Sequence, residues 1–507
     1  MVATGGKIIP EVEHAIEGLS ETRKEAFRWE VALKIKQEKR KSDGSPIWNS
    51  IANSKKWLKA NNYTLTRADK SQDLVTMKKD TYDEMLIKYI MDTNCIRAHP
   101  RALERMQARV KRFAATPLAK ELRMKNIIIS SPAVPKLFGF AKTHKNDKSI
   151  RPVVDKACSP TILLERFLKG YISAHSTPHQ FNIKNPTELL QKMKTIHIQQ
   201  GCVMTVLDFK ALYPSINLEP FFCHLRDFLL NKINNAEKKR DQILELAHIA
   251  TFSSIFNFNG VTYEQQRGVA MGSPISGLLC EMVLRTLEEN IIPKYAQHIL
   301  IYARYVDDVF VIWKNKPNID GFVKDINSNN FGLEIELEQM NDRNVHFLDI
   351  DIQIDSRDGV VTKVYRKPTY TPWFIPWNSH DPVSYKLAAF RALVTRAYTH
   401  CSKLQDRNEE LKYINTLAKP FGVNSKAFSN LKPPNNKEPN RRKADECTIM
   451  EYRAQLNNVY KRIGAATNKK IVYKRNPTIY QLLRADKDEP NLHLIPGVYK
   501  IPVIDNR

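Results

Sequence analysis

The 507-residue chain contains no run of about 18 apolar residues, so it offers no helix able to cross a membrane, and no membrane partner is expected. Its first residues, M-V-A-T-G-G-K-I-I-P, lack the apolar core of a signal peptide. Cysteine is sparse and unpatterned: Cys95, Cys158, Cys202, Cys223, Cys280, Cys401 and Cys447 are odd in number and form no C-x-x-C pair. That excludes a disulfide framework and a zinc ribbon and points to an intracellular protein with reduced thiols. No internal repeat is present. Acidic residues are outnumbered, 54 Asp and Glu against 79 Lys and Arg, for a net charge of +25. An excess of this size points to a polyanionic partner, nucleic acid first; a merely soluble basic protein or an anionic membrane surface are the other readings. The hydrophobic fraction of 42% and charged fraction of 26% are ordinary for a globular protein, so a substantial core is expected. The length leaves room for several domains or one large enzyme of several subdomains.

The stretch around which the rest is organised is Tyr302 to Trp313, Y-A-R-Y-V-D-D-V-F-V-I-W. Two β-branched and aromatic runs flank Asp307-Asp308, which reads as a hairpin with both strands buried. Adjacent carboxylates at its tip repel each other and resist desolvation, so they call for a compensating cation. A divalent metal taking hard oxygen ligands and sharing them with phosphates fits; an ordinary Asp-Asp turn is the plainer reading. A second strand, C-V-M-T-V-L-D-F, runs into Asp208, is broken at Tyr213-Pro214 and precedes a helix with Phe222, Leu225, Leu229 and Ile233 on one face. Between the two lies Q-R-G-V-A-M-G-S-P-I-S-G-L-L, Gln266 to Leu279, a glycine loop with Ser273 as N-cap and Pro274 at the first helical position. Such a loop can receive a nucleotide or template backbone, or can be a plain helix entry.

Upstream, residues 9 to about 42 read as helical and turn strongly basic (Lys34 to Lys41), a nuclear-import or nucleic-acid patch or a solvated helix end. Leu74 to Met77 reads as a strand and 80 to 125 as helices. Pro135 to Asp155 reads as a hairpin carrying Lys142, Lys145 and Arg151, cations suited to a triphosphate. Downstream, Phe331 to Glu338 alternates like a strand and His346 to Ile354 reads as another. Residues 363 to 402 interleave Arg and Lys with aromatics that could stack on bases or pack in a core. A Pro-, Asn- and Lys-rich linker spans 422–445.

The order and spacing of these segments resemble a reverse-transcriptase palm. Asp208 resembles the first catalytic motif, Gly268 to Pro274 the second and Tyr305 to Asp308 the third. F-G-F-A-K-T-H-K and R-P-V-V-D resemble the preceding finger motifs. Among reverse transcriptases the chain resembles Penelope-like retroelements, which are telomerase-related, through F-G-F-A-K-T-H-K, D-F-K-A-L-Y-P-S-I, A-M-G-S-P-I-S, Y-R-K-P-T-Y-T and S-H-D-P. Many such elements carry a C-terminal GIY-YIG endonuclease. P-G-V-Y-K-I, from Pro496, resembles its opening strand, or is an unrelated terminal strand; the rest of that nuclease has no place before Arg507, so no cleavage is expected.

The resemblance implies an α+β right-hand polymerase fold with fingers, an antiparallel palm and a helical thumb, after a helical basic N-terminal extension. The expected divisions are 1–130 (N-terminal region), 131–201 (fingers), 202–360 (palm with finger insertions), 361–421 (thumb), 422–445 (linker) and 446–507 (basic C-terminal segment). It implies RNA-directed DNA synthesis from a DNA 3′ end, target-primed, in the nucleus, on the element's RNA with deoxynucleoside triphosphates. Asp208, Asp307 and Asp308 would hold two Mg²⁺ ions, or Mn²⁺ in their place. Lys142, Arg151, Phe209, Lys210, Ala211, Tyr213 and Gly272 would form the nucleotide pocket, with Tyr213 the gate against a ribose 2′-hydroxyl. Gln266, Arg267, Gly268, Tyr365, Arg366, Lys367 and Trp373 would meet template and primer. An inactive polymerase-fold RNA-binding scaffold, a telomerase catalytic subunit and a template-independent transferase are the competing readings; oligomeric state is open.

Overall fold

The computed structural model describes residues 8–37, 46–71, 73–143, 149–194, 196, 198, 201–355, 359–368, 370–427, 446–474 and 478–483. At its centre β1 (Val203–Phe209), β2 (Ile299–Tyr305), β3 (Asp308–Trp313) and β4 (Ile335–Asn341) form an antiparallel sheet in the order β4-β1-β3-β2. Successive strand residues point to opposite faces. In β3, Val309, Val311 and Trp313 therefore enter one hydrophobic core, while Phe310 and Ile312 enter another. A sheet covered on both faces needs apolar residues at every position, which is why β3 reads as an unbroken run. Each such side chain contributes roughly 1.5–3 kcal/mol on burial.

The first core is built with α1 (Glu219–Lys232), α2 (Arg240–Phe252) and α3 (Ser276–Tyr295). The second is closed by β5 (Asn344–Phe347) and β6 (Ile350–Ile354), with Leu189, Leu190 and Met193 of the helix Pro186–Lys194. β7 (Val360–Val364) pairs with β6 and leads to the helices α4 (Ala388–His400) and α5 (Leu404–Ala418), which share their own core around Phe390 and Ile414. On the other side a five-stranded sheet carries the expected hairpin, Lys136–Ala141 against Ile150–Asp155; its turn, including Lys145, lies outside the described residues. The expected strand at Leu74 is present as Leu74–Lys78, paired with Tyr63–Arg67. Together these parts make a right-hand polymerase fold of palm, thumb and fingers.

Four local expectations need correction. The strand expected from Phe331 begins only at Ile335, because the Asn329 side chain accepts the Phe331 and Leu333 amides and replaces a ladder partner. His346 to Ile354 is not one strand but the β5–β6 hairpin, folded at Leu348 (φ +56). Helix α3 starts at Ser276 rather than Pro274: the Ser273 hydroxyl donates to Glu165 at 2.5 Å and accepts the Ile275 amide at 3.4 Å, and Ile275 stands at the N-cap. Finally, the two ends of the chain are not separate regions. Ile8, Val12 and Ile16 pack with Met450, Val459, Tyr460 and Ile463 in one cluster. There Cys447–Met450 and Lys470–Tyr473 pair in parallel, and the helix Asn457–Thr467 makes the crossover that such a pair requires. Residues 428–445 of the expected linker and the nuclease-like strand from Pro496 lie outside the described residues.

Candidate active site

Strand register brings the distant carboxylates together. Asp308 is the direct cross-strand partner of Asp208, so both point to the same face. Asp307 occupies the turn between β2 and β3, and the Asp208, Asp307 and Asp308 ligand oxygens all lie within 4.8 Å of one another. The Asp208 and Asp308 side chains share the face of Val206 and Phe310, at the sheet end where the second core stops. All three are half-buried. Burial, then the neighbouring Asp307 and Glu338, pushes the Asp308 carboxyl up to about 6. Such concentrated negative charge, made of hard oxygen donors, fits divalent magnesium or manganese. Lys367 and Lys70 act in the opposite direction on Asp308.

Tyr213 is half-buried beside this cluster. Burial raises its hydroxyl pKa, with Cys280 and Asp307 adding to the rise and Arg151 opposing it, so the ring lies within electrostatic reach of both the Asp307 turn and the finger hairpin. A Cβ on Gly277 of α3 would stand 3.4 Å from the Tyr213 hydroxyl. Arg151 is held by Asp69, Nε to Oδ1 3.1 Å, with the Asp69 side chain only 3% exposed. Lys142 stands half-buried on the same hairpin. The chain leaves β1 through a left-handed Ala211 (φ +44). Phe209 and Lys210 do not present free amides: theirs donate to Asp307 O (3.1 Å) and Glu334 O (2.8 Å). The Phe209 ring is in the core and the Lys210 ammonium sits 2.7 Å from Glu336, while Ala211 is exposed.

The glycine loop has structural reasons for its glycines. Gly268 (φ +78) lies so close to Pro214 that a Cβ would meet its backbone at 2.6 Å. Gly272 (φ +116) lies against the Val154 carbonyl, which a Cβ would meet at 2.2 Å, while the Val154 amide donates to Met271 O at 2.7 Å. The loop thereby joins the finger strand to the palm, which gives Gly272 a packing role. Beneath it, Glu165 is buried with Lys156, Thr161 and Ser273. Burial alone would raise its carboxyl, but these partners outweigh it and hold it below the usual range. Gln266 and Arg267 are exposed, with Arg267 Nε donating to Ser215 O at 3.1 Å.

The residues expected to meet template and primer are divided. Lys367 is exposed and acts on Asp308. Tyr365 stacks on His346 with centroids 4.0 Å apart. Arg366, by contrast, forms a two-bonded ion pair with buried Glu410 and lies over the Tyr413 ring, so its charge is engaged within the thumb. Trp373 is 68% exposed, edge-on to Phe421. Sequence reasoning missed Asp69, Lys70 and Glu338, which carry no local signature. It also passed over Arg304, whose charge inside an apolar strand was a usable signal.

Residues 143–348 match the family described as reverse transcriptase (RNA-dependent DNA polymerase), and residues 373–419 match an animal helix-turn-helix domain. No curated protein matches the sequence. Among solved structures the chain is similar to a telomerase from Candida albicans bound to a TWJ fragment of telomeric RNA (11% identity, TM-score 0.49, covering 74% of this chain and 63% of that one). It is also similar to an apo telomerase from Candida tropicalis (12%, 0.43, 84% and 79%) and to the Sicinivirus 3Dpol RNA-dependent RNA polymerase (12%, 0.40, 61% and 67%). The chain thus spans 63% of the Candida albicans telomerase chain's length. Its similarity to RNA-directed DNA polymerases, a nucleotidyltransferase class, lies in residues 143–348.

Proposed function

We propose that this chain is a reverse transcriptase of the Penelope-like, telomerase-related kind, extending a DNA 3′ end on an RNA template with deoxynucleoside triphosphates. The observation that carries the reading is the convergence of Asp208, Asp307 and Asp308, with Tyr213 in electrostatic reach of Asp307 and Arg151. The three carboxylates would hold two Mg²⁺ ions, which when bound supply charge stabilisation for in-line phosphoryl transfer. Arg151, oriented by Asp69, and Lys142 would grip the triphosphate. The Tyr213 ring would close the space beside the sugar C2′ and favour deoxynucleotides. Lys367, Tyr365, Gln266 and Arg267 would meet template and primer. The helix pair α4 and α5 would lie along the duplex. Priming at a chromosomal target by element RNA and a nuclear site of action belong to the same proposal, supported by the motif resemblance and the basic charge.

The deciding measurement is primer extension on an RNA template with deoxynucleotides and Mg²⁺. Templated product from the wild type, abolished by Asp307→Asn with Asp308→Asn, is the expected outcome. Tight RNA binding without synthesis by either protein would favour the scaffold reading instead. In the same assay Tyr213→Ala should raise ribonucleotide use by about 10- to 100-fold, the scale set by adding or removing one small group in a packed pocket. Unchanged sugar selectivity would remove Tyr213 as the gate.

A further inference from the structure

We infer that Arg304 is a positioning residue that sets the Val306-Asp307 turn, and with it Asp307, by gripping the Val306 carbonyl from inside a buried ion-pair cluster. The inference rests on the polymerase reading above for its consequence, though not for its geometry. Tyr305 and Asp308 are cross-strand partners, so Val306 and Asp307 form a two-residue hairpin turn. Val306 has φ +60, and Asp307 is not left-handed. That pattern belongs to a type II′ turn, whose first residue is ordinarily glycine. A β-branched valine there is strained, so something nearby must over-determine the turn.

Arg304 is the group placed to do so. It is fully buried, and all five of its donors have partners. Nε donates to Glu288 (2.6 Å) and Nη2 to Glu288 (2.9 Å) and Glu281 (3.1 Å). Nη1 donates to Glu281 (2.8 Å) and to the Val306 carbonyl (3.1 Å). Glu288 is itself buried, bonded by the Tyr302 hydroxyl at 3.0 Å and approached by His179 at 3.3 Å. The Arg304 backbone is pinned as well: its amide donates to Phe181 O and its carbonyl accepts from Ile183. The guanidinium is thus a rigid fork anchored on α3 through Glu281 and Glu288, with one donor left to hold the turn. Lysine at this place could not do the same, because a point charge with three donors cannot bridge two carboxylates and a carbonyl in one plane.

The test uses the full chain, Arg304→Lys, and the same change in a Val306→Gly background, read by extension rate and by Mn²⁺ affinity from the electron paramagnetic signal of the free ion. The expected result is a loss in rate and Mn²⁺ affinity of about 10- to 100-fold for Arg304→Lys, the scale of one strained turn residue, with primer–template affinity unchanged. In the glycine background, where the turn is unstrained, the same substitution should cost about threefold or less. An equal loss in both backgrounds, or a loss that follows thermal unfolding while Mn²⁺ affinity holds, overturns the inference and leaves Arg304 a core ion pair. If Arg304→Lys does not fold, Glu281→Gln loosens the fork while keeping Glu288; unchanged rate and Mn²⁺ affinity in it would be equally fatal. A wild type that binds Mn²⁺ yet extends no primer defeats the polymerase reading, and the Mn²⁺ arm still decides the role of Arg304.

Discussion

Asp308 is costly to the fold it serves. Its carboxyl is raised from 3.8 to about 6, burial being the first cause and Asp307 the second. A folded-state pKa above the unfolded one means that the native protein binds the extra proton more tightly between those values. Stability from this group is therefore present at acid pH and lost as pH rises through about 6. At pH 7.5 the ion-free protein holds a charge it would rather neutralise, and Asp308→Asn removes it. The substitution should raise the stability of the ion-free protein by about 1–2 kcal/mol, after allowance for partial exposure, and flatten its pH dependence between 4 and 6. Thermal melts with and without Mg²⁺ check this: Mg²⁺ should stabilise the wild type and much less the variant. A variant less stable than wild type at pH 7.5 would show that Asp308 is compensated within the protein.

At the scale of elements, the glycine loop decides how fingers meet palm. Gly272 combines a left-handed backbone with an approach to the Val154 carbonyl that admits no Cβ, and neither constraint can be relieved by a side-chain movement. Gly272→Ala should cost about 2–4 kcal/mol and weaken nucleotide binding, because the strand that shifts, Ile150–Asp155, is the one carrying Arg151. Gly170, inside the helix Ile162–His175 with nothing within 4 Å, is the control. Its alanine variant should be neutral or gain about 0.5–1 kcal/mol. Urea unfolding and the KM for deoxynucleotide separate the two, and equal behaviour of both variants would refute the packing argument.

Across the whole molecule, the chain ends form a cluster of their own, joined to the segment before α4 where the Tyr473 amide donates to the Tyr385 hydroxyl at 3.3 Å. Tyr460 is fully buried in it. Tyr460→Ala should cost about 3–5 kcal/mol locally and open both 8–37 and 446–474 to limited proteolysis together, while palm fragments resist. Cleavage at the C-terminal segment alone would mean that the N-terminal helices fold independently of it.

The sequence by itself determined what depends on near neighbours. β3 could be read as buried because two covered faces demand an unbroken apolar run. The carboxylate tip at Asp307-Asp308 and the finger hairpin from Lys136 were legible for the same local reasons, whereas the helical thumb was expected from the family resemblance. Asn329 and Leu348 defeated two strand readings because a side-chain acceptor and a tight turn interrupt a pattern without altering its hydrophobicity. Only the tertiary structure decided the rest. Cross-strand register brought Asp208 opposite Asp308; docking of a distant loop brought Asp69 to Arg151 and Lys70 toward Asp308; and Glu410 engaged the Arg366 guanidinium within the helical segment after β7. Charge pairs, close backbone approaches and strained turns are fixed by distances between segments far apart in sequence, and no local pattern encodes those distances.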